Sequence, residues 1–253
     1  MKLYIYRDKG MRIIIRIVSA TTFFLITTQA FSYYLPPGYL LAQVGGYLSS
    51  PGESQNIGIK GLVGDRFTAD NSNNGNVLFG LGYFLNGLER DQYSLDYGIN
   101  AFYLAKTTVS GDIIQEHLYA NLSYGYDISH VPIYLDAKAS IKIKTNTTNQ
   151  YAVTVDAGIG PNFLMTSHYQ DESIDNGVTK PDNAFSGQTN TTFSATAGIG
   201  IKIDNLINHI PVECGYRFFY LGQGNLSKNK SQLQDTLSIG TVYANAIICS
   251  VAI

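Results

Sequence analysis

The two cysteines of this sequence are candidates for a disulfide. Cys214 and Cys249 each lie in a segment that alternates apolar and polar residues, on the apolar face. Same-face positions on neighbouring strands can meet, and a disulfide needs Cα atoms within about 7 Å of each other. We therefore predict a cross-strand disulfide between them. Two buried free thiols are the alternative.

A set of charged side chains lies on the opposite, polar face of these segments. Glu213 and Arg217 share that face but are about 13 Å apart on an extended strand, so their partners are expected on adjacent strands. Because unpaired buried charge is costly, the set is interpreted as a salt-bridged plug inside a narrow lumen. The alternative is a polar pathway for water and small ions, which Lys138, Lys142 and Lys144 would bias locally toward anions. The interior ions are Asp96, Asp136, Lys138, Lys142, Asp156, Lys202, Asp204, Glu213 and Arg217.

The four histidines, which are candidates for catalysis or metal binding, are His117, His130, His168 and His209. Two of them directly follow a serine, but adjacent residues of a strand point to opposite sides. The sequence holds no Gly-x-Ser-x-Gly, His-Glu-x-x-His or Cys-x-x-Cys motif. The carboxylates of the loop at 166–190 miss the spacing of an EF-hand. We expect no enzyme activity, no cofactor and no metal.

Residues 1–32 have the pattern of a secretory signal. A basic start is followed by an apolar stretch over 17–27, and Ala30 and Ser32 supply small residues before Tyr33. An N-terminal membrane anchor is the alternative, but its apolar core falls short of the roughly 20 residues that a bilayer requires. We predict a cleaved signal peptide over 1–32 and a mature domain over 33–253. Met11 offers a second start site.

Export changes the charge of the chain. Without 1–32, 12 Lys and Arg face 18 Asp and Glu, a net charge of about −6. This net charge argues against nucleic-acid binding, for which a basic patch is expected. An oxidising compartment would also permit the disulfide.

The elements that carry these residues alternate with a period of two, which is typical of strands with one apolar face. The segments run for about 10–13 residues, whereas strands of globular proteins are most often about 5–6 residues long. Strands of about 10 residues, apolar outward and polar inward with aromatic residues at their ends, are typical of transmembrane barrels. In lipid only closure satisfies every backbone group of a sheet. We predict an all-β, antiparallel, up-and-down transmembrane β-barrel; a soluble β-sandwich is the alternative.

Nine segments fit this description, and an even number is expected for a single-chain bacterial barrel. A short strand near 57–62 would give ten, the preferred count; eight remains the alternative if one segment does not span. With ten strands the outer connections would be 49–54, 86–91, 127–130, 166–190 and 222–235. The nine segments are 39–48, 77–85, 93–103, 118–126, 131–144, 151–160, 193–203, 212–220 and 237–253.

Four stretches carry a resemblance to a known family. They are Ala42-Gln-Val-Gly-Gly-Tyr47, Asp156-Ala-Gly-Ile-Gly-Pro-Asn-Phe163, Phe193-Ser-Ala-Thr-Ala-Gly-Ile-Gly-Ile201 and Glu213-Cys-Gly-Tyr-Arg-Phe-Phe-Tyr-Leu-Gly-Gln-Gly224. Together they resemble the small outer-membrane β-barrel proteins of opacity or surface-antigen type from intracellular Gram-negative bacteria. The resemblance implies a surface-exposed barrel in the outer membrane without an established catalytic site.

The expected function is therefore a structural and surface-interaction role in the outer membrane of a Gram-negative bacterium. Outer-membrane lipid is the expected environment, and host or environmental ligands would meet the surface loops. No nucleic-acid partner is expected, and the sequence leaves the oligomeric state open. The alternatives are a narrow porin-like channel for small solutes or ions and, third, a lipid-modifying barrel enzyme.

Overall fold

The computed structural model describes residues 37–70, 74–143, 150–207 and 210–253, so the predicted signal peptide lies outside the described residues. No described helix is long and apolar enough to cross a membrane. The described residues form twelve strands: β1 (Gly38–Ser49), β2 (Gln55–Ile57), β3 (Asp65–Phe67), β4 (Asn74–Glu89), β5 (Tyr93–Gln115), β6 (Tyr119–Ile143), β7 (Gln150–Ser173), β8 (Phe185–Ser186), β9 (Thr189–Ile207), β10 (Ile210–Asn225), β11 (Ser227–Lys228) and β12 (Ser238–Ala252).

Eight of these strands close into a ring. The order is β1-β12-β10-β9-β7-β6-β5-β4 and back to β1. The first and last strands pair antiparallel from Leu41 opposite Ala252 to Ser49 opposite Ala244. The all-β antiparallel barrel is confirmed, with eight strands. The preference for ten strands is wrong.

The strand count fell short of ten for two reasons. The predicted segments 118–126 and 131–144 belong to one continuous strand, β6, because Asp127–His130 is part of that strand rather than a turn. The predicted short strand at 57–62 is not in the ring. Instead β2 and β3 extend the sheet outside it, where Phe67 pairs with Ile113 of β5.

The turn between β5 and β6 lies at 116–118, where the sequence carries neither glycine nor proline. Glu116 and His117 hold positive φ angles of 50° and 60° there. Ser110-Gly111, a pair of residues typical of turns, lies inside β5. Polar residues at these positions belong to strands that continue into water, so their polarity does not mark a chain reversal.

The two ends of the barrel differ. At one end, here called the terminal end, β1 begins, β12 ends, and the short connection 90–92 joins β4 to β5. At the other end, the long-loop end, β1, β7 and β10 lead into connections of 24, 15 and 12 residues that include the short strands β2, β3, β8 and β11. The predicted outer connection 86–91 therefore lies at the opposite end from 166–190 and 222–235.

The outward face of the ring is apolar, as the alternation predicts. Side chains from all eight ring strands are exposed there, among them Val44, Leu81, Ile99, Leu135, Ile159, Ile199, Tyr216 and Ile247. An apolar band around a closed antiparallel ring is the surface that lipid tails cover. The chain is thus a membrane-spanning β-barrel.

Candidate functional site

The lumen holds a layer of charged side chains in its terminal half. Strand register sets the layer, because Arg217, Gly198, Asp156, Lys138 and Asp96 occupy directly opposed positions on β10, β9, β7, β6 and β5. Gly198 separates Arg217 from Asp156, and a Cβ atom at Gly198 would lie 2.8 Å from Asp156 Oδ2. The missing side chain leaves room for the Asp156 carboxylate beneath Arg217.

Arg217 is the centre of this layer. Its Nη2 atom lies 2.5 Å from Asp156 Oδ1, and its Nη1 atom lies 3.6 Å from Asp136 Oδ2. Nη1 also donates to Thr196 Oγ1 at 3.4 Å. Asp136 and Asp156 are both buried, so one guanidinium pairs with two carboxylates that are largely shielded from solvent. The sequence could assign these residues to the interior but not to one another.

Lys138 forms the second buried ion pair, with Glu213. Thr154 Oγ1 donates a hydrogen bond of 2.8 Å to the other oxygen of that carboxylate. The five most enclosed ions of the layer are thus three carboxylates (Asp136, Asp156, Glu213) and two cations (Lys138, Arg217). This excess of negative charge runs against the local anion preference that the lysines suggested.

The other predicted interior ions lie near the terminal mouth rather than deep in the lumen. Asp96 is half-buried and accepts a 3.0 Å hydrogen bond from Tyr39 Oη. Lys202 and Asp204 pair at 3.3 Å with about a third of each side chain exposed. Lys142 is exposed and reaches Glu89 at 3.3 Å. A cavity of about 270 Å³ at this mouth has Lys138 and Glu213 among its lining residues.

Above the charges the lumen is filled with aromatic side chains, which the sequence analysis did not predict. The rings of Phe102, Tyr134 and Phe219 lie 5.2–6.3 Å apart, centroid to centroid. The Arg217 guanidinium lies over the Phe102 ring at 5.2 Å, so the two layers are in direct contact. Phe102 and Tyr134 sit on the face assigned as polar, next to Asn100 and Asp136 respectively, so alternation alone concealed them.

The three histidines within the described residues do not come together. His130 is buried in the lumen, where its Nδ1 atom lies 3.1 Å from Asn162 Nδ2. His168 lies on the outer surface, with Nδ1 at 3.3 Å from Asp127 Oδ2 and 3.1 Å from Ser167 Oγ. His117 lies in the β5–β6 turn, and His209 falls outside the described residues. Among the described residues no cluster of His, Cys, Asp or Glu could hold a metal ion.

A folded cap lies over the long-loop end. We define the cap as residues 50–70, 174–188 and 226–237 with the projecting ends of β5, β6 and β7. Its loops bind one another through the backbone: Ile59 bridges to Leu233, and Ser227 pairs with Ser186. Asn229 N also donates to Ala184 O at 2.9 Å. The three loops therefore form one structure and are not independent of one another.

The cap has its own apolar core, continuous with that of the lumen. Phe185 packs edge-on against Phe67 and Tyr169, each with ring centroids 5.6 Å away. Phe67 also packs against Tyr124 of β6 at 5.2 Å. Aliphatic residues complete the core, namely Ile57, Val109, Ile113, Leu122, Leu226, Leu233, Leu237 and Ile239. Long-loop side chains thus close the top of the barrel.

Within the cap, loop carboxylates bind their own backbone. Asp171 accepts hydrogen bonds from the backbone N–H groups of Asp182 and Asn183. Asp175 accepts from Ser173 Oγ at 2.6 Å and from Thr179, and these hydrogen bonds hold the pKa of the Asp175 carboxyl at about 2. Both carboxylates are thereby used to shape the loop.

The predicted cysteine pair faces outward on the barrel wall. Cys214 of β10 lies directly opposite Cys249 of β12, with Cα atoms 4.1 Å apart, and the two are joined by a disulfide. The two cysteines are separated by 35 positions in the sequence, and the chain between them includes the β10–β12 loop of the cap. Closing a loop of that length restricts the unfolded chain, an effect worth about 4 kcal/mol in the chain-entropy model.

Comparison with solved structures returns small outer-membrane barrels. OprG from Pseudomonas aeruginosa has a TM-score of 0.48 and 16% identity, covering 86% of this chain and 97% of that one. Neisserial surface protein A has a TM-score of 0.37 and 10% identity, covering 85% and 96%. Ail, the attachment invasion locus protein of Yersinia pestis, has a TM-score of 0.34 and 11% identity, covering 85% and 99%. No protein-family model and no curated protein matches the sequence.

Proposed function

We propose that this chain is a non-catalytic surface protein of the Gram-negative outer membrane, exported through the signal peptide at 1–32, whose function resides in the cap. The main observation that supports this proposal is the contrast between the filled lumen and the ordered loops at the long-loop end of the barrel. The lumen is filled by paired charges and packed aromatic rings, whereas three long loops build an ordered structure above the lipid band. Short turns on the periplasmic side and longer loops outside are the general arrangement of such barrels.

Orientation in the membrane is tested with single cysteines. In Val178→Cys the new thiol lies in the cap, and in the matched variant Gln92→Cys it lies in the 90–92 connection. Both native cysteines are in the disulfide and leave no competing thiol. With a membrane-impermeant maleimide on intact cells, we expect near-complete labelling at position 178 and only background at 92. The reverse pattern would reject an outward-facing cap.

A narrow channel is the second candidate, favoured by the cavity of about 270 Å³ at the terminal mouth. Eight strands enclose a lumen that side chains can fill, far from the aqueous channels of barrels with about 16–18 strands. The aromatic layer and the cap core lie between that cavity and the long-loop end.

We expect no discrete conductance steps from the refolded mature protein in a planar bilayer. A gel-mobility shift on heating shows in the same preparation that the barrel has folded. Salt-dependent single-channel openings from demonstrably folded protein would contradict a filled lumen, and Arg217 and Lys138 would then be the first residues to substitute.

A further inference from the structure

The tip of the cap carries large apolar side chains that nothing in the described chain covers. Tyr119 is 72% exposed and Val178 is 83% exposed. Apolar groups exposed together on a water-facing surface mark interaction sites more often than chance. We define the tip patch as Leu62, Val63, Leu118, Tyr119, Ile174 and Val178, all of them exposed.

Hydrogen bonds hold the segments of the tip patch together. Val63 N donates to Glu116 Oε2 at 3.0 Å, which ties the 60–64 turn to the β5–β6 turn. Ile174 N donates to Asn121 O at 2.9 Å. Asn121 Nδ2 in turn reaches Thr179 Oγ1 at 3.2 Å, beside Val178. The patch is therefore ordered before any partner arrives, which lowers the entropic cost of binding.

A polar belt separates the tip patch from the lipid band, so the patch is not an extension of the membrane surface. On the outer face of β5, β6 and β7, Asp112, Ser123 and Glu172 occupy one row of directly opposed positions. Ser110 and Gly125 lie in the row below. These small residues floor a groove of about 440 Å³, whose lining includes Asp70, Asp112 and Glu172.

The charge of the cap selects among partners. Over 50–70, 104–130, 166–188 and 226–237, eleven Asp and Glu face six Lys and Arg, a net charge of −5. In the described chain no cation pairs with Asp112 or Glu172 beside the groove. Like charges disfavour a second copy of this cap or an anionic membrane, whereas a basic surface gains both attraction and a faster encounter.

We propose that the tip patch and the groove beneath it form one docking surface for a basic polypeptide segment, whose apolar anchor residues cover the tip and whose Lys or Arg side chains enter the groove. The inference rests on the proposed surface role and names the kind of partner. Apolar contact would supply most of the affinity, and the carboxylates would supply selectivity and salt dependence.

The test is selection of random 12-residue peptides displayed on phage, using purified protein in phosphatidylcholine nanodiscs. We expect enriched peptides to combine net positive charge with aromatic or aliphatic residues. Binding of a selected peptide should weaken about tenfold in Leu118→Ser/Val178→Ser and in Asp112→Asn/Glu172→Gln. Thr236→Ala, at an exposed cap position outside the surface, is the matched control and should bind as wild type. All five substituted positions are exposed, and the heat-induced gel shift verifies folding of each variant.

Several outcomes would overturn the proposal. They are no enrichment above empty nanodiscs, enrichment of acidic or uncharged peptides, and equal binding by wild type and both double variants. Flotation of the nanodisc-embedded protein with phosphatidylglycerol vesicles, abolished by Leu118→Ser/Val178→Ser, would identify a lipid surface as the occupant instead. Because selection uses purified protein, it is independent of cellular orientation. If peptides are enriched but Val178→Cys is not labelled on intact cells, only the surface role is rejected and the docking surface stands.

Discussion

Arg217→Met should lower the free energy of unfolding of the barrel by about 3–5 kcal/mol, because removing one partner of a buried ion pair leaves the other charge uncompensated. Here two carboxylates lose their shared cation, since Asp156 and Asp136 both converge on the Arg217 guanidinium. Methionine approximates the volume of the arginine stem, so loss of packing contributes little. The measurement is the urea midpoint of the gel-mobility shift for protein refolded into lipid vesicles.

Two comparisons make this prediction specific. Lys142→Met removes an ion pair with Glu89 whose side chains are 42% and 77% exposed, so its expected cost is about 0–1 kcal/mol. Adding Asp136→Asn and Asp156→Asn to Arg217→Met removes the stranded charges and should restore most of the lost stability. Equal midpoints for Arg217→Met and Lys142→Met would show that the charge layer does not stabilise the barrel.

The barrel could be predicted from sequence because its dominant constraint is local and periodic. Each ring strand must present alternate residues to lipid, so segments such as 193–203 carry the pattern in full. The register could not be read in the same way, because it depends on long-range pairing. Arg217 and Asp156 belong to strands that are not neighbours and meet across Gly198 of β9.

The wrong predictions concern regions where a single strand passes from lipid into water. Above the lipid band, the outer face of β6 carries Ser123, Gly125 and Asp127, while its inner face carries Tyr124 and Tyr126. The chain thus has polar residues outside and aromatic residues inside, the inverse of the transmembrane pattern. If one polarity is assumed for the whole strand, the position where the pattern inverts is mistaken for a turn and an extra strand is counted.

The cap follows the ordinary rule of water-soluble domains, with an apolar interior under a polar surface, and the barrel wall follows the inverse rule. The two share a core but face different solvents, so a change in the cap interior should loosen the cap while leaving the wall closed. The wall keeps its own support from ladder hydrogen bonds around the ring and from the Cys214–Cys249 disulfide.

Phe185→Ala tests whether the cap can loosen while the barrel wall stays closed. It removes a ring that is 1% exposed and contacts both Phe67 and Tyr169, a change that typically costs about 3–5 kcal/mol. Trypsin cleavage after Lys228 reports the loss, because in the folded cap Lys228 Nζ donates to Leu233 O and Gln234 O. If cleavage follows the population of the open cap, its rate should rise about 10²–10⁴-fold.

The contrast with Val178→Ala decides whether this effect comes from the cap core. Val178 is in the same loop but 83% exposed, so its truncation should leave the cleavage rate within about twofold of wild type. Phe185→Leu, which retains most of the buried apolar surface, should fall between the two. The urea midpoint of the barrel gel shift should move far less in Phe185→Ala than in Arg217→Met. A joint collapse of cap and barrel in Phe185→Ala would instead mean that the cap core is required to keep the ring closed, and that the outer loops are part of the wall's own stability.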